Sequence, residues 1–142
     1  MKPTSYPASI TWSEDDKVFE VSFPDLSGCI TFGPSLDEAK AMASEALTGV
    51  LEAMIARGIS LPSPSPMKGK HMYAIEPSTS VSFALWLRER RRASGMTLTD
   101  VADKLGVRYQ VYQKLEDPRK TNPTLKTLAK LEKVFGERLI MV

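Results

Sequence analysis

A chain of 142 residues, 42% hydrophobic and 25% charged, has room for one domain or two small ones. Its single Cys29 excludes an intrachain disulfide and any cysteine-cluster metal site; no apolar run approaches membrane-spanning length, and the opening MKPTSYPASI lacks a secretory pattern. A cytoplasmic protein without a membrane anchor is therefore expected. The net charge of +2 hides a division: residues 1–77 hold six Lys or Arg against ten Asp or Glu, a net of −4, and residues 78–142 hold thirteen against seven, a net of +6. A basic second part fits a polyanion, and an acidic first part argues against the same partner there.

The first part alternates. Tyr6, Ala8, Ile10 and Trp12 interleave with Pro7, Ser9, Thr11 and Ser13, the period of a strand with one buried face. Glu14-Asp15-Asp16-Lys17 makes a polar turn, and Phe19, Val21 and Phe23 alternate again, predicting a hairpin. Pro24 to Gly28 turns the chain into a third strand, Cys29 to Phe32, where Cys29 reads as a small buried hydrophobe. Ser35-Leu36-Asp37-Glu38 is a capping box that opens a helix to about Arg57, with an apolar stripe of Leu36, Ala39, Ala43, Ala46, Leu47, Val50, Leu51, Met54 and Ile55. The proline-rich ISLPSPSP at 59–66 is an extended connector, Met72 to Ile75 a fourth strand, and 76–80 a linker. One sheet face buried against one helix leaves the other face uncovered.

The second part is helical. Phe83 to Ala93 makes a helix with Phe83, Trp86 and Leu87 inward. Thr97 caps the next, Asp100 sits in its first turn, Val101, Ala102 and Leu105 share a face, and Gly106 supplies a left-handed end. Val111 and Leu115 are expected inward on the following helix, with Tyr112 beside them, leaving Tyr109, Gln110, Gln113 and Lys114 outside. Pro123 to Phe135 is a last amphipathic helix on Leu125, Leu128, Ala129, Leu131 and Val134, and Leu139 to Val142 is an apolar tail that packs on its own domain or across a dimer axis. The fold class is α+β, with a β-β-β-α-β domain over 1–77 and an all-α helix-turn-helix domain over 78–142.

Two resemblances sharpen this reading. Leu87-Arg88-x-x-Arg91, Gly95-Met96-Thr97, Val101-Ala102-x-x-Leu105-Gly106-Val107 and Leu115-Glu116 resemble the lambda-repressor-like, Xre-type helix-turn-helix. That resemblance implies base contacts from Tyr109, Gln110 and Lys114, with Gln110 suited to pair bidentately with adenine. It implies phosphate contacts from Thr97, Arg108, Gln113, Arg119 and Lys120, and a structural ion pair between Arg91 and Glu116. The chain departs from the pattern at Leu98, where a phosphate-binding Gln is common, at Arg108 in place of a small cap, and at Asp117-Pro118 in place of a glycine-containing turn.

FPDLSGCITFG at 23–33, Leu36-Asp37-Glu38-Ala39 and ISLPSP at 59–64 resemble the HicB antitoxin family. The resemblance implies a partial RNase H-like first domain, a HicA-type RNA-cleaving toxin as partner, operator DNA as second partner, and a homodimer or higher even oligomer that represses its own operon. Glu14, Asp15, Asp16, Glu20 and Asp25 are the candidate toxin contacts, since an acidic surface complements a protein that grips RNA. The rival reading is a stand-alone regulator whose first domain senses a small ligand. No catalytic residue, metal ligand or cofactor is expected: the acids cluster in a turn, no second histidine supports His71, and no phosphate loop or nucleophile elbow is present.

Overall fold

The computed structural model describes Met1 and residues 4–139. The chain divides into two compact units, Thr4–Ser78 and a second that takes Thr79 onward together with Met1.

In the first unit, strands β1 (Tyr6–Ser13), β2 (Val18–Ser22), β3 (Ile30–Gly33) and β4 (Met72–Ile75) form one antiparallel sheet in the order β3-β2-β1-β4. The 21-residue helix α1 (Leu36–Ala56) covers one face. Its cap is the expected one, the Glu38 N–H donating to the Ser35 hydroxyl at 3.1 Å. Its buried stripe is narrower than expected: only Ala39, Ala43, Leu47 and Leu51 are fully buried, one every four residues, against Tyr6, Ala8, Ile10, Val21 and Ile75 of the sheet. Two alanines at the start of that stripe let backbone approach backbone. A Cβ built on Gly33 would lie 2.5 Å from the Ala39 nitrogen, so β3 can meet α1 only with glycine there.

Several expectations for this unit need correction. Trp12 shares the parity of Ile10 but is 44% exposed, because Trp12 and Phe19 form the last inward-facing cross-strand pair before the hairpin turn and stack edge-on at 5.0 Å. The third strand begins at Ile30 rather than at Cys29. Cys29 is buried just before it, where burial pushes its thiol up, and its carbonyl accepts from the Phe23 N–H at 3.3 Å. His71 is exposed, as a solvated residue would be, but its backbone is left-handed (φ 63°) and its carbonyl accepts from the Ile10 N–H at 2.9 Å. The connector is tied down at two points, by the Tyr6 hydroxyl donating to the Pro62 carbonyl at 2.7 Å and by Ser65, whose N–H and hydroxyl both donate to the Asp25 carboxylate. The linker shortens to 76–78, and it is held to α1 through Ser44 donating to the Glu76 carbonyl and the Ser78 N–H donating to Thr48.

The second unit packs α2 (Thr79–Ala93), α3 (Leu98–Leu105), α4 (Tyr109–Leu115) and α5 (Leu125–Phe135) around Phe83, Trp86, Leu87, Val101, Ala102, Leu105, Tyr112 and Leu131. Thr97 and Asp100 close a full capping box: the Thr97 N–H donates to the Asp100 carboxylate at 2.8 Å, and the Asp100 N–H donates to the Thr97 hydroxyl at 3.1 Å. Those bonds from Thr97 hold the Asp100 carboxyl below its usual range. Gly106, at φ 72°, ends α3 in the left-handed region and turns the chain into α4. Here the expected inward set is wrong in part. Tyr112 is fully buried and Val111 is 49% exposed, so Tyr112, not Val111, anchors α4. On α5, Leu125 is 70% exposed and Ala129 is also exposed; the helix faces inward through Leu128, Leu131 and Val134 instead.

The reason for the Tyr112 choice is polar. Arg91 of α2 grips Glu116, at the end of α4, with two bonds, Nε to Oε2 at 2.7 Å and Nη2 to Oε1 at 3.0 Å. The Tyr112 hydroxyl donates to the same Oε2 at 2.5 Å. Burial and the bond to Glu116 push the Tyr112 hydroxyl far up, and the Glu116 bond pushes Arg91 up as well. Tyrosine at 112 thus brings a core-filling ring and a donor for a carboxylate that is only 7% exposed. Of the tail, Leu139 packs on its own unit and its N–H donates to Glu132 at 2.6 Å; residues 140–142 lie outside the described set.

Gly33→Ala should lower the unfolding free energy by about 1–3 kcal/mol or more, because the contact it makes is with backbone. Urea unfolding followed by circular dichroism measures this. Glu116→Ala, which strands Arg91 and the Tyr112 hydroxyl together, should cost about 3–5 kcal/mol, whereas Tyr112→Phe should cost about 1–3 kcal/mol. Hydrogen exchange at the α3 and α4 amides should rank the two in that order.

Candidate nucleic-acid interface and partner-binding face

Helix α4 has only seven residues, and its placement decides what it can touch. With successive residues about 100° apart around the axis, the buried Tyr112 sets the inner direction and Gln110 and Lys114 fall on the opposite side. Gln113 and Val111 lie on the two flanks. Arg108, Tyr109, Gln110, Gln113 and Lys114 are all exposed, so the expected base-contact set shares an open surface with two of the expected phosphate contacts. Arg108 stands at the N-cap of α4 without a capping bond from its side chain, which leaves the guanidinium available to a polyanion.

The turn after α4 is organised by Asp117. Its carboxylate accepts from the Arg119 N–H at 3.0 Å and its carbonyl accepts from the N–H groups of Lys120 and Thr121 at 3.0 and 2.9 Å. That replaces the glycine-containing turn of the family pattern and fixes the backbone that carries the exposed Arg119 and Lys120 side chains. Thr97 differs from the other expected phosphate contacts, because its hydroxyl already accepts a bond from Asp100. Leu98 turns its side chain toward the core of the unit, which accounts for an apolar residue where a polar one is common. The Arg91–Glu116 pair is present in bidentate form.

The first unit offers a different surface. On the sheet face away from α1, Glu20 lies between Thr11 of β1 and Phe32 of β3, and Ser22 lies opposite Ile30. Ile30 is 70% exposed and Phe32 63%, and with Asp16 and Glu20 they line a shallow groove of about 560 Å³. Beside it, β3 is an edge strand of the sheet. Two large exposed hydrophobes on an edge strand are unusual for a surface that meets only water.

The structure therefore sorts the five expected partner-contact acids. Asp16 and Glu20 line the groove. Glu14 and Asp15 are exposed in the hairpin turn, where Lys17 pairs with Glu14 at 2.6 Å and holds its carboxyl below the usual range. Asp25 does not line the groove; its carboxylate is engaged by Ser65 of the connector. Sequence reasoning missed Ile30 and Phe32, although an alternating ITF on a short third strand was the signal that could have shown them.

Comparison with known proteins matches each of the two units to a family model. Residues 6–78 match the family model of the HicB-like antitoxin of bacterial toxin–antitoxin systems, and residues 87–140 match a helix-turn-helix model. The chain is 26% identical over 141 residues to Antitoxin HicB 1 of Photorhabdus laumondii, a match covering 99% of this chain and 88% of that protein. Among solved structures, a toxin–antitoxin complex from Streptococcus pneumoniae matches at 18% identity and a TM-score of 0.49, covering 72% of this chain and 95% of that one. A HicA3 and HicB3 toxin–antitoxin complex matches at 26% identity and a TM-score of 0.41, covering 53% and 99%. With the antitoxin model spanning the whole sheet unit and a helix-turn-helix model spanning most of the helical one, the chain belongs to the HicB-like antitoxin family of bacterial toxin–antitoxin systems.

Proposed function

We propose that the chain neutralises a HicA-type RNA-cleaving toxin through its first unit and represses the operon that encodes both proteins through its second. The observation that carries this reading is the joining, in one chain, of an antitoxin-family sheet unit of net charge −4 to a helix-turn-helix unit of net charge +6 whose α4 exposes Gln110 and Lys114. A toxin that binds RNA must present a positive surface. The groove answers with Asp16 and Glu20 for charge and with Ile30 and Phe32 for apolar contact, the combination that gives an interface both steering and a desolvated centre. Glu14 and Asp15 extend the acidic surface along the hairpin turn.

On DNA, Tyr109, Gln110 and Lys114 meet base edges while Arg108, Gln113, Arg119 and Lys120 meet phosphates and set register. Thr97 adds a phosphate contact only through its hydroxyl hydrogen, since the oxygen serves the capping box. The protein acts as a homodimer or higher even oligomer, because one seven-residue recognition helix makes too few contacts for tight specific binding. It works in the cytoplasm, without catalysis and without a cofactor; no helix among the described residues is long and apolar enough to cross a membrane.

Expression of the neighbouring gene in cells, with and without this chain, tests the reading: growth arrest by the neighbour alone, relieved by co-expression, is the expected result, and absence of both toxicity and copurification contradicts it. Phe32→Asp should weaken toxin binding by about 2 kcal/mol or more and abolish rescue while operator binding persists. Gln110→Ala should weaken operator binding by about 1–3 kcal/mol with little effect on unrelated duplexes, whereas Lys120→Ala should weaken all duplexes alike and reduce the log–log salt slope by about one. Fluorescence anisotropy at several salt concentrations separates the two.

A further inference from the structure

One side chain on the exposed surface of α4 is out of character with its neighbours. Val107 and Leu115, one turn before and after it, pack against the core, but Val111, on the flank it shares with Arg108 and Lys114, is 49% exposed. A β-branched aliphatic residue is a poor choice for the solvated middle of a short helix, where its stiff χ1 disfavours the helix and its methyls gain nothing from water. The core does not need it, because Tyr112 fills the inward position completely.

We propose that Val111 reads the C5-methyl group of a thymine in the major groove, and so acts as a specificity determinant beside Gln110; the inference rests on the operator-binding reading. Thymine alone among the four bases presents an apolar group in that groove, and a small aliphatic side chain is the complement to it. The geometry fits. Val111 lies beside Lys114, on the flank away from Tyr109, so where Lys114 reaches a base edge the isopropyl group meets the neighbouring base. The rigidity that makes valine a poor helix former serves recognition, since in a helix one χ1 rotamer dominates and both methyls are held in place before DNA arrives. Charge selects the partner: the surrounding exposed side chains are Arg108 and Lys114 on a unit of net charge +6, which suits DNA rather than a second copy of the same basic surface.

Replacing thymine by deoxyuridine removes the methyl group and nothing else, so it isolates this contact. The probe is the duplex upstream of the chain's own gene, with the thymines of the protected region replaced by deoxyuridine one at a time, and binding of the intact chain is followed by anisotropy. At one thymine per half-site the loss of the methyl should weaken the natural protein about fourfold, the worth of one buried methyl-sized group. Val111→Ala, a substitution that favours helix, should bind the unmodified duplex about fourfold more weakly and be indifferent to deoxyuridine at that position, yet retain its sensitivity elsewhere. Indifference of the natural protein to every thymine methyl overturns the proposal. So does a Val111→Ala protein that keeps full methyl discrimination, including one that does so while losing self-association, which would place Val111 in a protein–protein contact. Failure to bind the upstream duplex at all overturns the operator reading itself, and is distinguishable from binding that ignores the methyl groups.

Discussion

The clasp of Arg91 on Glu116, with the Tyr112 hydroxyl on the same carboxylate, is the contact on which the proposed DNA-reading surface depends. A helix of seven residues has no stability of its own in water; its direction and rotation come from what it is bolted to. Glu116 closes α4, Arg91 comes from α2, and Tyr112 lies one turn before Glu116 on the inner face. Three groups on two helices therefore settle which way α4 is turned, and once Tyr112 faces in, Gln110 and Lys114 must face out. A buried ion pair contributes little net stability against an apolar substitute, yet it admits fewer alternatives, and orientation is what a reading helix requires.

The sheet unit solves a different problem with different means. Helix α1 covers one face only, drawn close by Ala39, Ala43 and Gly33, and the other face is left with Ile30 and Phe32 beside Asp16 and Glu20. Its long connector is not slack: Tyr6 and Asp25 hold it at Pro62 and Ser65. Opposite net charges keep the tasks apart, because the acidic unit is repelled by the polyanion that the basic unit attracts.

Much of this was legible in the sequence. Period-two alternation marked the strands, Ser35 and Thr97 marked helix starts, Gly106 marked the left-handed turn, and the Arg91–Glu116 pair was expected from the family pattern and is present. The failures have physical causes. Over a seven-residue helix, Val111 and Tyr112 are adjacent apolar positions, and a period of 3.6 cannot say which faces in; the hydroxyl that decides it needs a carboxylate from the same short helix and an arginine twenty-one residues before the tyrosine. The bond between Asp25 and Ser65 left no mark in the sequence, because the two stand forty residues apart along the chain. Thr79 and Ser80 looked like linker because polar residues open helices as readily as they fill loops. Trp12 obeyed the alternation and still emerged partly exposed, since parity says which side a residue faces and not how far the cover extends.

The central claim is that the two units meet two different partners through the α4 surface and the β2–β3 face. Hydrogen exchange of the intact chain, alone, with the duplex upstream of its gene and with the product of the neighbouring gene, tests it most directly. DNA is expected to slow exchange across residues 108–120 and the neighbouring protein across residues 11–33. Protection of the same unit by both partners, or a DNA complex in which α4 exchanges as it does in the free protein, would contradict the account.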